Sequence, residues 1–271
     1  MEGNYVYHYT DLNALLGIIG TEPSKLVFWG SRYDCMNDPL DYQYAKNKLL
    51  PPMMEVAREL AKEKEISEEA MREINVIPYI VCFSKKADDF LMWRMYNAKV
   101  ALVLDKRYFE KPTPNSSLIE CEYVDENLSN LRDSFMKIDE SIPNSFYISV
   151  QTSKIASFIK SDAFKSEGEV RLASWDYFDK NGNQMIIPDC KNDETIVENE
   201  LRTRFNADGK LILYRRFFID KNALKDIIIH TYNKLEFENT RNALQAVLRN
   251  NKFDNDLIEN IKATNAYPFN I

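Results

Sequence analysis

A chain of 271 residues with 45% apolar and 12% aromatic side chains can fill a sizeable core. Its formal charge of −7 and isoelectric point near 5.1 argue against non-specific binding to nucleic acid or acidic membranes, because neutralising phosphates takes a basic surface. Four separated cysteines, two histidines and seven glycines leave no zinc-finger spacing, no Walker or Rossmann phosphate cradle and no nucleophile elbow.

Cys35, Cys82, Cys121 and Cys190 form no C-x-x-C pair, which suits reduced thiols and a cytoplasmic protein, and no metal is expected. No run approaches the roughly 18 apolar residues of a membrane helix, and the first residues do not read as an export signal. The composition and element pattern fit an α+β fold with a mixed, mainly antiparallel sheet. One domain over 1–271 is expected, with a helical insertion near 40–75 and a helical C-terminus at 236–262.

Residues 5–9 alternate as a strand, and Thr10 is placed to cap a helix whose Leu12, Leu15, Leu16 and Ile19 share a face. Gly20 is read as its stop. Leu26 to Trp29 reads as a second strand. In Asn37-Asp38-Pro39, Asp38 suits an N-cap and Pro39 the first helical position.

The apolar run Tyr79 to Ser84 reads as a central strand buried on both faces. A polar turn from Lys85 to Asp89, an aromatic helix carrying Phe90, Trp93 and Tyr96, and a strand from Val100 to Leu104 follow. Such a frame lets turn side chains project past the strand end into a pocket. At helical spacing the aromatics serve equally as core or as a stacking platform.

A strand is expected over 117–124, and helices over 126–140 and 144–160. Glu169 to Trp175 is a strand, and Asn181-Gly182 and Asp208-Gly209 are hairpin turns. Asp189 to Glu200 reads as a surface excursion, Leu224 to His230 as the last strand, and 236–250 and 254–262 as helices.

Two constellations carry possible chemistry. The first is Tyr7-His8-Tyr9-Thr10, a strand end holding one of the two histidines before a helix N-terminus, which suits an anionic or sugar-bearing ligand or, more plainly, an edge strand and a cap. The second is Glu167-Gly168-Glu169 with Arg171. In an extended strand these three side chains share a face at roughly 6.5–7 Å per step, so two carboxylates would stand ready for general-base work or for a developing cation, with Arg171 holding one in place. Gly168 is read as letting backbone approach a ligand. A solvated strand face is the plain alternative. Arg202, Arg204, Lys210, Arg215, Arg216, Lys221 and Lys225 form a basic excess, readable as an anionic-partner surface or as a charge-balanced hairpin edge.

In order, Tyr7-His8-Tyr9-Thr10, Asn37-Asp38-Pro39, Phe83-Ser84 with Met92-Trp93 and Tyr96, Glu167-x-Glu169-x-Arg171 and Leu224-Lys225-x-Ile227-Ile228 resemble the blocks of a widespread bacterial family known only as a domain of unknown function. The chain departs from that pattern at Asn97-Ala98-Lys99 and at His230. The first block is also distantly similar to the opening motif of DNA-targeting ADP-ribosyltransferase toxins. That resemblance implies NAD as substrate, His8 bonding its ribose, Glu169 stabilising the oxocarbenium-like transition state and Glu167 as acceptor-side base. Phe83, Ser84 or Tyr96 would meet nicotinamide, and Tyr9, Thr10, Trp93 and Arg171 would complete the NAD-binding set.

Two functions follow as expectations: an ADP-ribosyltransferase-like enzyme modifying nucleic acid or protein in a defence setting, or a non-catalytic nucleotide-binding module on the same scaffold. A metal-dependent nuclease, with Asp88-Asp89 meeting Glu167 and Glu169, is a third reading. The observation that weighs most on these readings is whether His8, Tyr96 and Glu169 line one cleft.

Overall fold

The computed structural model describes residues 4–36, 74–109, 115–125, 127, 129–141, 147–185, 196–206 and 208–266, and scattered positions between 42 and 62. The Asn37-Asp38-Pro39 triplet, most of the expected 40–75 insertion and Cys190 lie outside them. Among the described residues the protein is α+β, with an 11-stranded, mostly antiparallel sheet and a separate two-stranded one.

The large sheet is organised on β3 (Asn75–Ser84), the strand expected at 79–84. Along one edge it pairs with β8 (Glu169–Phe178) from Asn75↔Phe178 to Ser84↔Glu169. The other edge is shared. β2 (Lys25–Arg32) meets it at Ser31↔Ile80 and Arg32↔Tyr79, whereas β1 (Tyr5–Thr10) meets it only at Tyr7↔Ser84. The sheet therefore forks at β3. One wing runs from β1 to β4 (Val100–Asp105), β12 (Leu224–Ile229) and β13 (Lys262–Ala263); the other runs from β2 to β11 (Leu211–Asp220) and β10 (Arg202–Phe205). β5 (Ser116–Glu120) and β9 (Gln184–Met185) flank β8 on its outer side.

Helix α1 (Leu12–Gly20) links the wings, burying Leu15, Ile18 and Ile19. Asp11, not Thr10, is its N-cap: the carboxylate accepts from the Ala14 amide at 2.8 Å, while Thr10 stays in the ladder opposite Val100. Gly20 is the last helical residue, and Thr21, not the glycine, is the C-cap. Ile18 takes the buried place expected of Leu16, which is exposed. Helix α1 shares one face of the sheet with α5 (Lys234–Asn250) and α6 (Asn255–Glu259), in a core that includes Val6, Phe28, Phe83, Leu172 and Leu248.

The opposite face is covered by α3 (Leu131–Asp139) and α4 (Ile148–Ala156), packing on Ile80, Ala173 and Trp175. Every residue of α4 is buried, as befits a helix enclosed on all sides. Linking β3 to β4, α2 (Phe90–Met95) packs Met92 and Trp93 against Tyr9 and Ile228.

Both hairpin turns occur, with Gly182 and Gly209 at positive φ. The strand expected at 117–124 instead breaks at Cys121: β5 joins the large sheet, and β6 (Glu122–Val124) pairs in parallel with β7 (Ile159–Ser161). The helix expected to run to 160 stops at Ala156 for the same reason. The C-terminal element is shorter than expected, and Lys262-Ala263 form β13, parallel to β12.

Candidate functional site

Pairing register decides which side chains meet. Residues directly opposite in a ladder point to the same face, and successive residues alternate. Tyr7 lies opposite Ser84, and Ser84 opposite Glu169, so these three share a face. His8, Phe83 and Val170, each one position away, share the other.

On its face His8 is an aromatic core residue. Its ring stands edge-on to Phe28 at 5.2 Å and tilted to Phe83 at 5.5 Å. Nδ1 lies 3.0 Å from the Cys82 carbonyl, on the β3 edge between the stations of β2 and β1. A side chain thus bonds β3 where the fork interrupts the ladder. Burial pushes the His8 pKa down, against the pull of that hydrogen bond.

The Glu169 face holds a buried charge cluster. Glu167 is not in the strand, as the i, i+2 pattern implied, but ends a tight helical turn at Asp162–Glu167. Gly168, at φ 53°, reverses the chain in the left-handed region. Its backbone meets the turn after β3: the Gly168 carbonyl accepts from the Lys85 amide at 2.8 Å. The reversal brings both carboxylates to one ammonium. Lys160 Nζ lies 2.7 Å from Glu167 Oε2 and 2.5 Å from Glu169 Oε2.

Arg171 donates from Nε to Glu169 Oε1 at 2.9 Å and from Nη1 to the Ser157 carbonyl at 2.8 Å. All four side chains are at most 6% exposed. Two cations and two anions make the cluster neutral, the condition under which burial of charge is tolerated.

Burial, the largest influence, drives the Glu169 carboxyl up. Arg171, Lys160 and a hydrogen bond from the Cys82 thiol prevail and hold it at about 2. The same contact works on Cys82, whose thiol is pushed well up by burial and by the Glu169 charge, leaving it protonated and unreactive. The Tyr123 hydroxyl accepts from the Glu169 amide at 2.8 Å.

Above this cluster lies a small pocket lined by Tyr7, Tyr9, Cys82, Phe83, Ser84, Met92 and Tyr96. Its volume is about 20 Å³, room for a single water. The Tyr96 hydroxyl is pushed up by burial first and then by the nearby charges of Glu169 and Glu167.

No protein-family model, curated protein or solved structure matches this chain.

Tyr7, Ser84, Tyr96 and the Glu167–Glu169–Arg171 group converge at one end of β3, whereas His8 points away from them. Several expected binding residues are engaged in holding the fold. Ser84 Oγ donates to the Glu167 carbonyl at 2.7 Å and accepts from the Lys86 amide. The Tyr9 hydroxyl donates to the Lys86 carbonyl and accepts from the Asp89 amide, stapling the polar turn. Trp93, 1% exposed, donates to Asp88 and stacks on His230 at 5.0 Å. The Thr10 carbonyl takes the Lys99 amide.

Asp89 caps α2, and among the described residues no group of three His, Cys, Asp or Glu could hold a metal. In the basic stretch, Arg202 and Arg216 both pair with Glu198, as at a charge-balanced hairpin edge, whereas Arg215 is buried and pairs with Asp176.

Sequence reading missed Lys160 and Cys82 as members of the site and gave Tyr7 no role of its own there. Lys160 had a signal: a lysine directly after the apolar Phe158-Ile159 is rarely buried without an anion to meet it.

Proposed function

We propose that this chain is a non-catalytic binding module that takes a planar, hydroxyl-bearing ligand of nucleotide type beneath Tyr7 and Tyr96, over the Glu167–Glu169 cluster. The observation that carries this reading is the state of Glu169. Both its oxygens are engaged by Arg171 and Lys160, so its charge is already neutralised. An oxocarbenium-like centre needs a carboxylate aimed at it through the reaction. Fixed carboxylates flanked by tyrosines suit recognition of ribose hydroxyls and stacking of a base. Entry of such a ligand requires Tyr96, the half-exposed rim of the pocket, to swing outward.

The test is thermal stabilisation of the full chain by NAD, ADP-ribose and nucleotides, together with assay of free nicotinamide. Stabilisation that disappears in Tyr96→Ala and comes without nicotinamide release supports a binding module. Failure of every nucleotide to stabilise the wild type overturns it.

A second reading, the ADP-ribosyltransferase-like enzyme, keeps support from the convergence of Tyr7, Ser84, Tyr96 and Glu169 at one strand end. It requires a ligand that displaces Lys160 from Glu169, and it places His8 outside the reaction. Release of nicotinamide by wild type, abolished in Glu169→Gln and retained in His8→Asn, would establish that version.

A further inference from the structure

A second buried polar cluster lies on the other face of the sheet, toward the opposite end of β3. Arg215 enters it from β11, across from Gly30 of β2. Its Nη2 donates to Asp176 at 2.9 Å, and its guanidinium carbon stands 4.9 Å from the centre of the Tyr79 ring. Arg215 is 3% exposed, Asp176 7% and Tyr79 2%. Arg215 Nε and Nη1, which carry three N–H groups between them, meet no acceptor among the described residues.

The Ser174 hydroxyl is equally unmet. Ser174 is fully buried, lies directly opposite Tyr79, and precedes Asp176 by two positions on the same strand. The hydroxyl, the carboxylate and the tyrosine therefore share the face that Arg215 enters. Arg32, opposite Tyr79 on the β2 side and half-buried, completes the surroundings and is itself paired to Asp34 at 2.7 Å.

Enclosed guanidinium and hydroxyl donors without acceptors are costly, and the cost is relieved by a group that only accepts. Water accepts weakly; an oxyanion accepts strongly from a charged donor. Burial pushes the Asp176 carboxyl up against the opposing pull of Arg215 and Tyr79.

We propose that Arg215 and Ser174 form a receptor for a small oxyanion, a carboxylate or phosphate group, separate from the Tyr7–Tyr96 pocket. The oxyanion accepts from Arg215 Nε and Nη1 and from Ser174 Oγ, while Asp176 keeps the remaining guanidinium nitrogen fixed. The site does not depend on the binding-module reading, since the two clusters lie on opposite faces of the sheet and share no residue.

The experiment follows the melting temperature of the full chain as inorganic phosphate or acetate is titrated at constant ionic strength, with chloride as the balancing anion. Phosphate, acetate or both are expected to raise it saturably, and the better of the two identifies the ligand class. The effect should vanish in Arg215→Met and weaken roughly three- to tenfold in apparent affinity in Ser174→Ala, the loss of one hydrogen bond. It should persist in Tyr96→Ala. If Arg215→Met does not fold, Ser174→Ala decides, because it removes one hydroxyl without changing charge. No saturable rise with either anion, or an equal rise in either variant, would mean that water alone satisfies these donors and would overturn the proposal.

Discussion

Tyr7 and His8 are one peptide apart on β1, yet they stand in opposite surroundings. Tyr7 belongs to the face where Lys160 joins two carboxylates; His8 belongs to the face where Phe28 and Phe83 enclose it. A single register pair, Tyr7↔Ser84, makes the difference. In a sheet, the chemistry of a residue is set first by which side it is on and only then by its type.

The ionic face should respond most strongly to the loss of its shared cation. Lys160→Met removes the ammonium that both buried carboxylates, Glu167 and Glu169, contact. A destabilisation of roughly 3–5 kcal/mol is expected by urea unfolding, and adding Glu167→Gln should recover part of it. A loss below about 1 kcal/mol would show that the cluster does not hold this face together.

Acid should strike the same face next. The Glu169 pKa is lowered from 4.5 to about 2, so the folded state binds fewer protons than the unfolded chain in that interval. Its stabilisation is complete above pH 4.5 and disappears as pH falls toward 2. The loss is on the order of 3 kcal/mol. Glu169→Gln should flatten the acid limb of a stability-against-pH curve, whatever it does to the plateau.

The aromatic face responds more gently. His8→Ala removes a ring packed between two others and one hydrogen bond across the fork, for about 2 kcal/mol. His8 also titrates with the opposite kind of group. Its folded pKa is lowered below 6.5 by burial, so the protonated form favours the unfolded chain, and stability falls as pH drops through and below 6.5. His8→Phe should remove that dependence. If nucleotide binding is lost in His8→Asn with the fold intact, the separation of the two faces is wrong.

The smallest stability change, within about 1 kcal/mol, is expected for Tyr96→Ala at the half-exposed pocket rim. Its effect should appear in ligand binding and not in unfolding.

Much of the element order was legible because it rests on local rules. Alternating and continuous apolar runs marked β1, β3, β4 and β8, and Asn181-Gly182 and Asp208-Gly209 marked turns whose glycines do adopt positive φ. Positions that depend on distant partners were not legible. Thr10 looks like a cap until β4 claims it, and Asp11 then takes the role. Glu167 and Glu169 were expected to meet through strand periodicity; they meet through a left-handed Gly168 and a lysine from β7. His8 was matched to Glu169 by chain order alone, and chain order carries no information about which face a residue occupies. Lys160 could have been singled out by its apolar neighbours, but its partners could not.

The fork at β3 also has a mechanical meaning. A sheet whose wings are both tied to one strand is a pair of leaves on a common spine, and each leaf can open without breaking the ladder of the other. The His8–Cys82 bond works as a rivet near the crotch of that fork. Amide exchange in β1 and β4 should therefore be uncoupled from exchange in β2 and β11, and drawing the rivet should quicken the first pair more than the second.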